Sequence, residues 1–326
     1  MQRSAVAKRT RVPKEFGQAV ARHRDLLDRV LQKRATSKMK KLYDEAQANL
    51  VSRLAKTIRA GRSNTFTAFQ QRVVSAQLRE GQALIAQRLA GDMGPLTIEA
   101  QERALKGLIG DVKKLHRAFT GANITLPVEE AATFAGVISN RASSILRSNK
   151  KSFAGYGARI VGKVEKQLSL AMLEAKPTSE VIDEVAASID GEWWQGERIV
   201  RTEMAYAYSA SARDGIAESA RQVPELMMRW EENCDDEGRP LDGRVCVDSI
   251  AIHGQVAPPG GVFTMPETAP FPDARNRTKV PDELAGLSWS FPPNRPNDRA
   301  CISPWMQDWG VPGWTYNNGQ RKWLVR

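Results

Sequence analysis

The chain is poor in the residues that usually build catalytic and metal centres: 326 residues include three histidines and three cysteines. So small and odd a number of thiols excludes a disulfide scaffold, and reduced cysteine is the default state, with a metal site as the remaining option. No apolar run approaches the roughly 18 residues that cross a bilayer, so no membrane association is expected. The basic stretch from Met1 to Glu15 has no apolar core of the kind a secretory signal needs. There is no glycine-rich phosphate loop, no dinucleotide fingerprint after a strand and no Gly-x-Ser-x-Gly elbow. No cofactor is expected.

The few candidate groups do not combine into a motif. His23 and His116 lie within charged, helix-like segments and read as exposed side chains. His253 follows Asp248 and Ser249 closely, which invites a hydrolase reading, but triad partners are gathered by a fold and not by neighbouring positions. The acidic run Cys234-Asp235-Asp236-Glu237-Gly238 lacks the alternating ligand spacing of a calcium loop and reads as a solvated turn. Cys234, Cys246, His253 and Cys301 make a zinc set only on paper. Zinc sites favour thiolate pairs two residues apart, whereas Cys246-Val-Asp-Ser249 has a serine at the second position. Buried structural thiols, with no metal, are the reading favoured here.

Positive charge and helical periodicity are what the chain does have. Net charge is +11. Residues 1–62 hold 17 Lys or Arg against 5 Asp or Glu, net +12, and the remainder holds 31 against 32. Such a block either neutralises phosphates and releases counterions or is a solvated helix face. Its expected contacts with DNA or an acidic partner are Arg22, Arg29, Lys33, Arg34, Lys38, Lys40, Lys41 and Arg53. With no base-reading motif beside them, binding would be independent of nucleotide sequence and sensitive to salt.

Apolar residues recur at helical spacing from Glu15 to Ile58, with a possible break near Thr36-Ser37, and again from Phe66 to Leu89. Gly91 to Pro95 reads as a helix breaker, Thr97 as a new cap, Pro127 as a helix start and Ser152 to Gly157 as an interruption. Further helices are expected before Lys176, from Thr178 to Ile189 and from Glu192 to about Arg221.

The texture then changes. Residues 224–326 carry 13 of 17 prolines and six of eight tryptophans, which excludes long helices and favours short strands and turns held by aromatic packing. The expected fold is mainly α, a multi-helix N-terminal region followed by a small irregular α+β domain with Pro- and Trp-rich loops. Expected segments are a basic helical arm over 1–62, a helical domain over 63–223 and the tail domain over 224–326. Leu226–Glu231, Gly261–Met265 and Arg321–Val325 are the expected strands.

One ordered set of residues points further. Pro177-Thr178-Ser179-Glu180 is followed by Arg201-Thr202-Glu203, Trp230, Asp242-Gly-Arg244-Val-Cys246, Gly254, Gly260-Gly261-Val-Phe263 and a proline-rich run ending at Cys301. In this order the stretch from about 160 to 305 resembles the phage Mu F-like head morphogenesis family, minor head proteins of tailed phages. The resemblance implies a non-enzymatic structural protein of the virion, made in the host cytoplasm and sited near the portal or inner capsid. Its implied partners are portal protein, major capsid protein and packaged double-stranded DNA. It also implies structural roles for Arg201, Thr202, Glu203, Trp230, Cys246, Gly254, Phe263 and Cys301, with the Arg-Thr-Glu element pinning its helix to the tail through charge-assisted bonds. This chain departs from the family pattern at Ser249, Arg295 and Asp298, where thiols or an imidazole often stand, so a metal staple, if the family has one, is expected to be lost here. A nucleic-acid-processing or toxin-like enzyme and a cellular helical DNA-binding protein remain as alternatives.

Overall fold

The structure, a computed structural model, describes residues 14–61, 65–234, 239–295, 300–306, 314–317 and 322–325. It is mostly helical, with a few short strands near the C-terminus. The helices are α1 (Lys14–Asp25), α2 (Lys33–Arg59), α3 (Ala68–Thr120), α4 (Ala131–Leu173), α5 (Thr178–Asp190), α6 (Trp193–Ser219) and the short α7 (Val247–Ile252). A π-helical stretch, Leu26–Gln32, joins α1 to α2, and a 3-10 turn, Pro127–Glu129, precedes α4. None of the helices is long and apolar enough to cross a membrane among the described residues.

Two expected interruptions, and a third that the periodicity left open, are absent. Helix α2 runs through Thr36-Ser37 because Ala35 and Met39 on either side are fully buried. Helix α3 runs through Pro95. Proline inside a helix costs about 3 kcal/mol, partly from its clash with the carbonyl four residues back. Here that residue is Gly91, with open space where a Cβ would stand. Burial of Leu89, Met93 and Leu96 outweighs the cost, at about 1.5–3 kcal/mol for each such side chain. Thr97 therefore caps nothing; its hydroxyl donates back to the carbonyls of Met93 and Gly94, at 3.1 and 2.8 Å.

Helix α4 likewise runs unbroken through Ser152 to Gly157. The small residues there serve a helix crossing. A Cβ on Gly157 would lie 3.3 Å from the carbonyl oxygen of Gln82 on α3. Along the same pair, Gln71 donates to Ser169, and a Cβ on Gly94 would meet Leu146, so numbering falls on α4 as it rises on α3 and the two are antiparallel.

The chain divides into two compact units, both discontinuous in sequence. One comprises Gln32–Thr97 and Ser143–Glu203. Its core holds Tyr43, Tyr156 and Trp193, with Tyr43 at 5.9 Å from Tyr156 and 5.1 Å from Trp193 between ring centroids. The two tyrosine hydroxyls donate to the carbonyls of Ile189 and Glu192. Burial pushes the Tyr43 hydroxyl up to about 12.

The other unit comprises Met1–Leu31, Ile98–Ala142 and Met204–Arg326. Its tail folds around β1 (Leu226–Glu231), flanked antiparallel by β2 (Val256–Ala257) and β5 (Cys301–Met306). Strands β3 (Phe263–Thr264) and β4 (Ser288–Trp289) pair separately, as do β6 (Trp314–Asn317) and β7 (Lys322–Val325). The three expected strands thus contain β1, β3 and β7. Pro304 is accommodated because β5 lies at a sheet edge, where a missing N–H breaks no ladder.

The crossing makes opposite demands on two neighbouring glycines. Gly157→Val should lower stability by about 2 kcal/mol through overpacking against the Gln82 carbonyl. Gly155→Ala, in open space on the same helix, should raise it by roughly 0.5–1 kcal/mol. Urea unfolding of both variants checks the pair, and equal effects would refute the close approach.

Candidate functional site

Strand β1 is buried at five of its six positions, yet its sequence is Leu-Met-Met-Arg-Trp-Glu. Alternation along a strand puts Met228 and Trp230 on one face and Arg229 with Glu231 on the other. The apolar face is sealed by Phe263, which meets the Trp230 ring edge-on at 5.3 Å. The charged face would be prohibitively costly to bury unpaired. Arg229 donates to Glu231, and Ser303, across from Arg229 on β5, donates to the same carboxylate oxygen at 2.9 Å. The other carboxylate oxygen is 3.6 Å from Arg24 of α1, which also donates to the Cys234 carbonyl. The Arg229 guanidinium lies 5.2 Å from the Trp305 ring centroid, a cation–π contact.

Gly254 serves this cluster twice. Its φ is +78°, a conformation that side chains rarely adopt, and a Cβ there would stand 3.2 Å from an Arg229 nitrogen. Its N–H donates to the Trp230 carbonyl. The neighbouring His253 Nδ1 accepts from the Glu232 backbone N–H at 3.0 Å, so in the neutral ring the proton sits on Nε2. The Trp230 indole donates to the Glu232 side chain. Cys301 faces Glu231 from β5 and is fully buried. Trp230, Gly254, Phe263 and Cys301, far apart in the chain, therefore adjoin one strand.

A second polar contact ties the segment after β4 to α7. Arg295 bonds to the Ser249 hydroxyl and pairs with the buried Asp248 carboxylate. Asp248, Ser249 and His253 accordingly have different partners and form no triad. Cys246, half-buried at the start of α7, places its thiol 3.8 Å from the Arg244 carbonyl. A guanidinium anchored on Ser249 does not fit a cation site. No group of three His, Cys, Asp or Glu side chains able to hold a metal occurs among the described residues. Asp298 lies outside them.

His23 is buried, contrary to the expectation of an exposed ring. Its Nε2 lies 2.8 Å from Asp111, and its Nδ1 meets the Tyr208 hydroxyl. Burial pushes the Asp111 carboxyl up, but His23 and Arg22 outweigh it and hold the group below the usual carboxylate range. Arg22 is thus engaged by Asp111, which weakens its candidacy as a phosphate contact. The amphipathic face of a charged helix, with His23 and Leu27 on its inner side, is the sequence signal for this burial.

Lys33, Arg34, Lys38, Lys40, Lys41 and Arg53 are all exposed on α2. Arg34, Lys38 and Lys41 share one face by their spacing of four and three residues. Lys40 pairs with Asp44 within the helix. The side chain of Arg29 lies outside the described residues.

The Arg-Thr-Glu element bonds within its own helix and to α4. Arg201 pairs with Glu197 one turn back on α6, and Thr202 donates to the Arg198 carbonyl. Glu203 turns into the helical core, accepting from Ser148 and Ser152 of α4 at 3.0 and 2.8 Å. Burial raises its carboxyl above the usual range despite the two serines.

The chain matches no family model, no curated protein and no solved structure.

The two buried carboxylates respond differently to substitution. Because the folded value of Glu203 is raised, its stabilising contribution is present below about pH 4.3 and lost as pH rises through the folded value. Glu203→Gln should thus stabilise the protein at pH 7, with the gain fading as pH falls towards the ordinary carboxylate range; a pH-independent difference in thermal unfolding would contradict this. Arg295→Ala should cost about 2 kcal/mol in urea unfolding by stranding Asp248, with Arg295→Lys only partly restoring it for want of the planar fork.

Proposed function

We propose that this chain is a structural protein of phage head assembly, a minor head protein that sits near the portal or inner capsid and touches packaged DNA without reading its sequence. The observation that carries the reading is the convergence of four of the eight motif residues on β1. Trp230, Gly254, Phe263 and Cys301 adjoin that strand, and Ser249 meets Arg295, two positions at which the family pattern has other residues. Residues that recur in one order and then pack against one strand behave as a single docking module. An arginine clip takes the role that a metal staple would play.

The division of labour follows from exposure. The polar cluster on β1 is sealed from water and acts on the module itself. The basic face of α2 is open, and its cations suit a partner of high negative charge density. DNA contacts of this kind supply affinity without specificity.

Virions purified from a lysate that produces this chain should contain it at a few copies per portal; its presence in cells but absence from particles would refute the assignment. Binding to random-sequence duplex DNA should weaken with salt, and Lys38→Glu with Lys41→Glu should flatten the logarithmic slope by about 0.9 for each phosphate no longer neutralised. A slope unchanged by both substitutions would remove α2 from the DNA-facing surface.

A further inference from the structure

A trough of about 650 Å³ lies along the antiparallel pair α3 and α4 within the unit of Gln32–Thr97 and Ser143–Glu203. Its lining runs from Arg79 to Ala90 on α3 and from Lys150 to Val161 on α4. That is eleven residue steps on each helix, or about 16 Å of axis at 1.5 Å per residue. The floor is apolar and small: Ala86 and Gly157 lie at its base, and Ala154 and Ala158 stand exposed on one wall. Leu146, 38% exposed beside Gly94, continues the apolar strip beyond Lys150.

The rim is cationic. Arg79 and Lys150 line the trough itself, with Arg79 2.7 Å from Glu165. Residues 143–173 of α4 carry six Lys or Arg and one acidic residue, Glu165, and of the six Lys163 is paired with Glu192 at 2.6 Å. The near-neutral total of residues 63–326 conceals this excess, which lies outside the basic N-terminal block.

We infer that this trough docks an acidic amphipathic helix of a partner protein. A channel about 16 Å long, walled by two helices and floored by alanine and glycine, receives the side chains that one face of a docked helix presents one turn apart. Acidic residues flanking that apolar face meet Lys150 and Arg79 at the edges, where charge sets orientation and on-rate more than raw affinity. Single-stranded nucleic acid is the poorer fit, because its bases stack on aromatic platforms and the lining contains no aromatic side chain. Neither the basic face of α2 nor the module around β1 contributes to the trough, so its docking role stands apart from the assignment to the phage head.

The test uses the full chain and a fluorescein-labelled synthetic helix of about 14 residues, with leucines at i, i+4 and i+7 and glutamates on both flanks. A second peptide carries lysine in place of each glutamate. Fluorescence anisotropy should show saturable binding of the acidic peptide alone. Ala154→Phe, which fills the trough from an exposed position, and Lys150→Glu should each weaken it by about tenfold, while Lys150→Arg stays within about twofold. Circular dichroism confirms that the variants keep their helices. Equal binding of the lysine peptide, indifference to both weakening variants, or no binding of the acidic peptide would each overturn the proposal. So would a single-stranded oligonucleotide that binds with the same dependence on Ala154.

Discussion

Two opposite charges on one face of a buried strand govern the architecture of the tail. Arg229 and Glu231 are nearly sealed from water, and a charge in that position is tolerated only when paired and hydrogen-bonded. The strand supplies half of the pairing and draws the rest from elsewhere: Ser303 from β5, Arg24 from α1, the Trp305 ring from the end of β5. Even the turn at Gly254 is shaped by it, since any side chain there would press on the guanidinium. Several separate segments of the chain thus serve one electrostatic constraint.

The helical unit obeys a steric constraint instead. Antiparallel α3 and α4 approach closely enough that Gly157 has a Gln82 carbonyl where its Cβ would be. Close approach needs small residues, and a run of them on the outer side of the same crossing leaves a channel. Gly157 and the exposed alanines beside it therefore produce both the packing and the trough. The same residues resemble a helix breaker when seen in one dimension.

Amphipathic periodicity and proline density make the broad organisation legible. Helices α2, α5 and α6, the change of texture near residue 224 and strands β1, β3 and β7 all follow from local pattern. The departures share one cause. Pro95, Thr97 and the segment from Ser152 to Gly157 carry local signals for termination, and burial of their neighbours outweighs a local cost of a few kcal/mol. His23 departs from expectation because the composition of a charged helix says nothing of which residues lie on its inner face. The charge alternation Arg229-Trp230-Glu231 is visible in the sequence and points to a paired strand face, a signal independent of the motif residues around it.

By itself, the sequence determined that most of the chain before about residue 224 is helical, where proline and tryptophan forbid long helices, and where positive charge is concentrated. These are properties of neighbours in the chain, and short-range propensity and charge suffice for them. Only tertiary structure decided that Arg295 meets Asp248 and Ser249, that Arg22 and His23 are held by Asp111, that Glu203 turns to Ser148 and Ser152, and that two helices enclose a trough. Each of those joins residues dozens of positions apart. Their pairing is set by which buried charges and close-packed backbones must be satisfied at once, a condition no local pattern records.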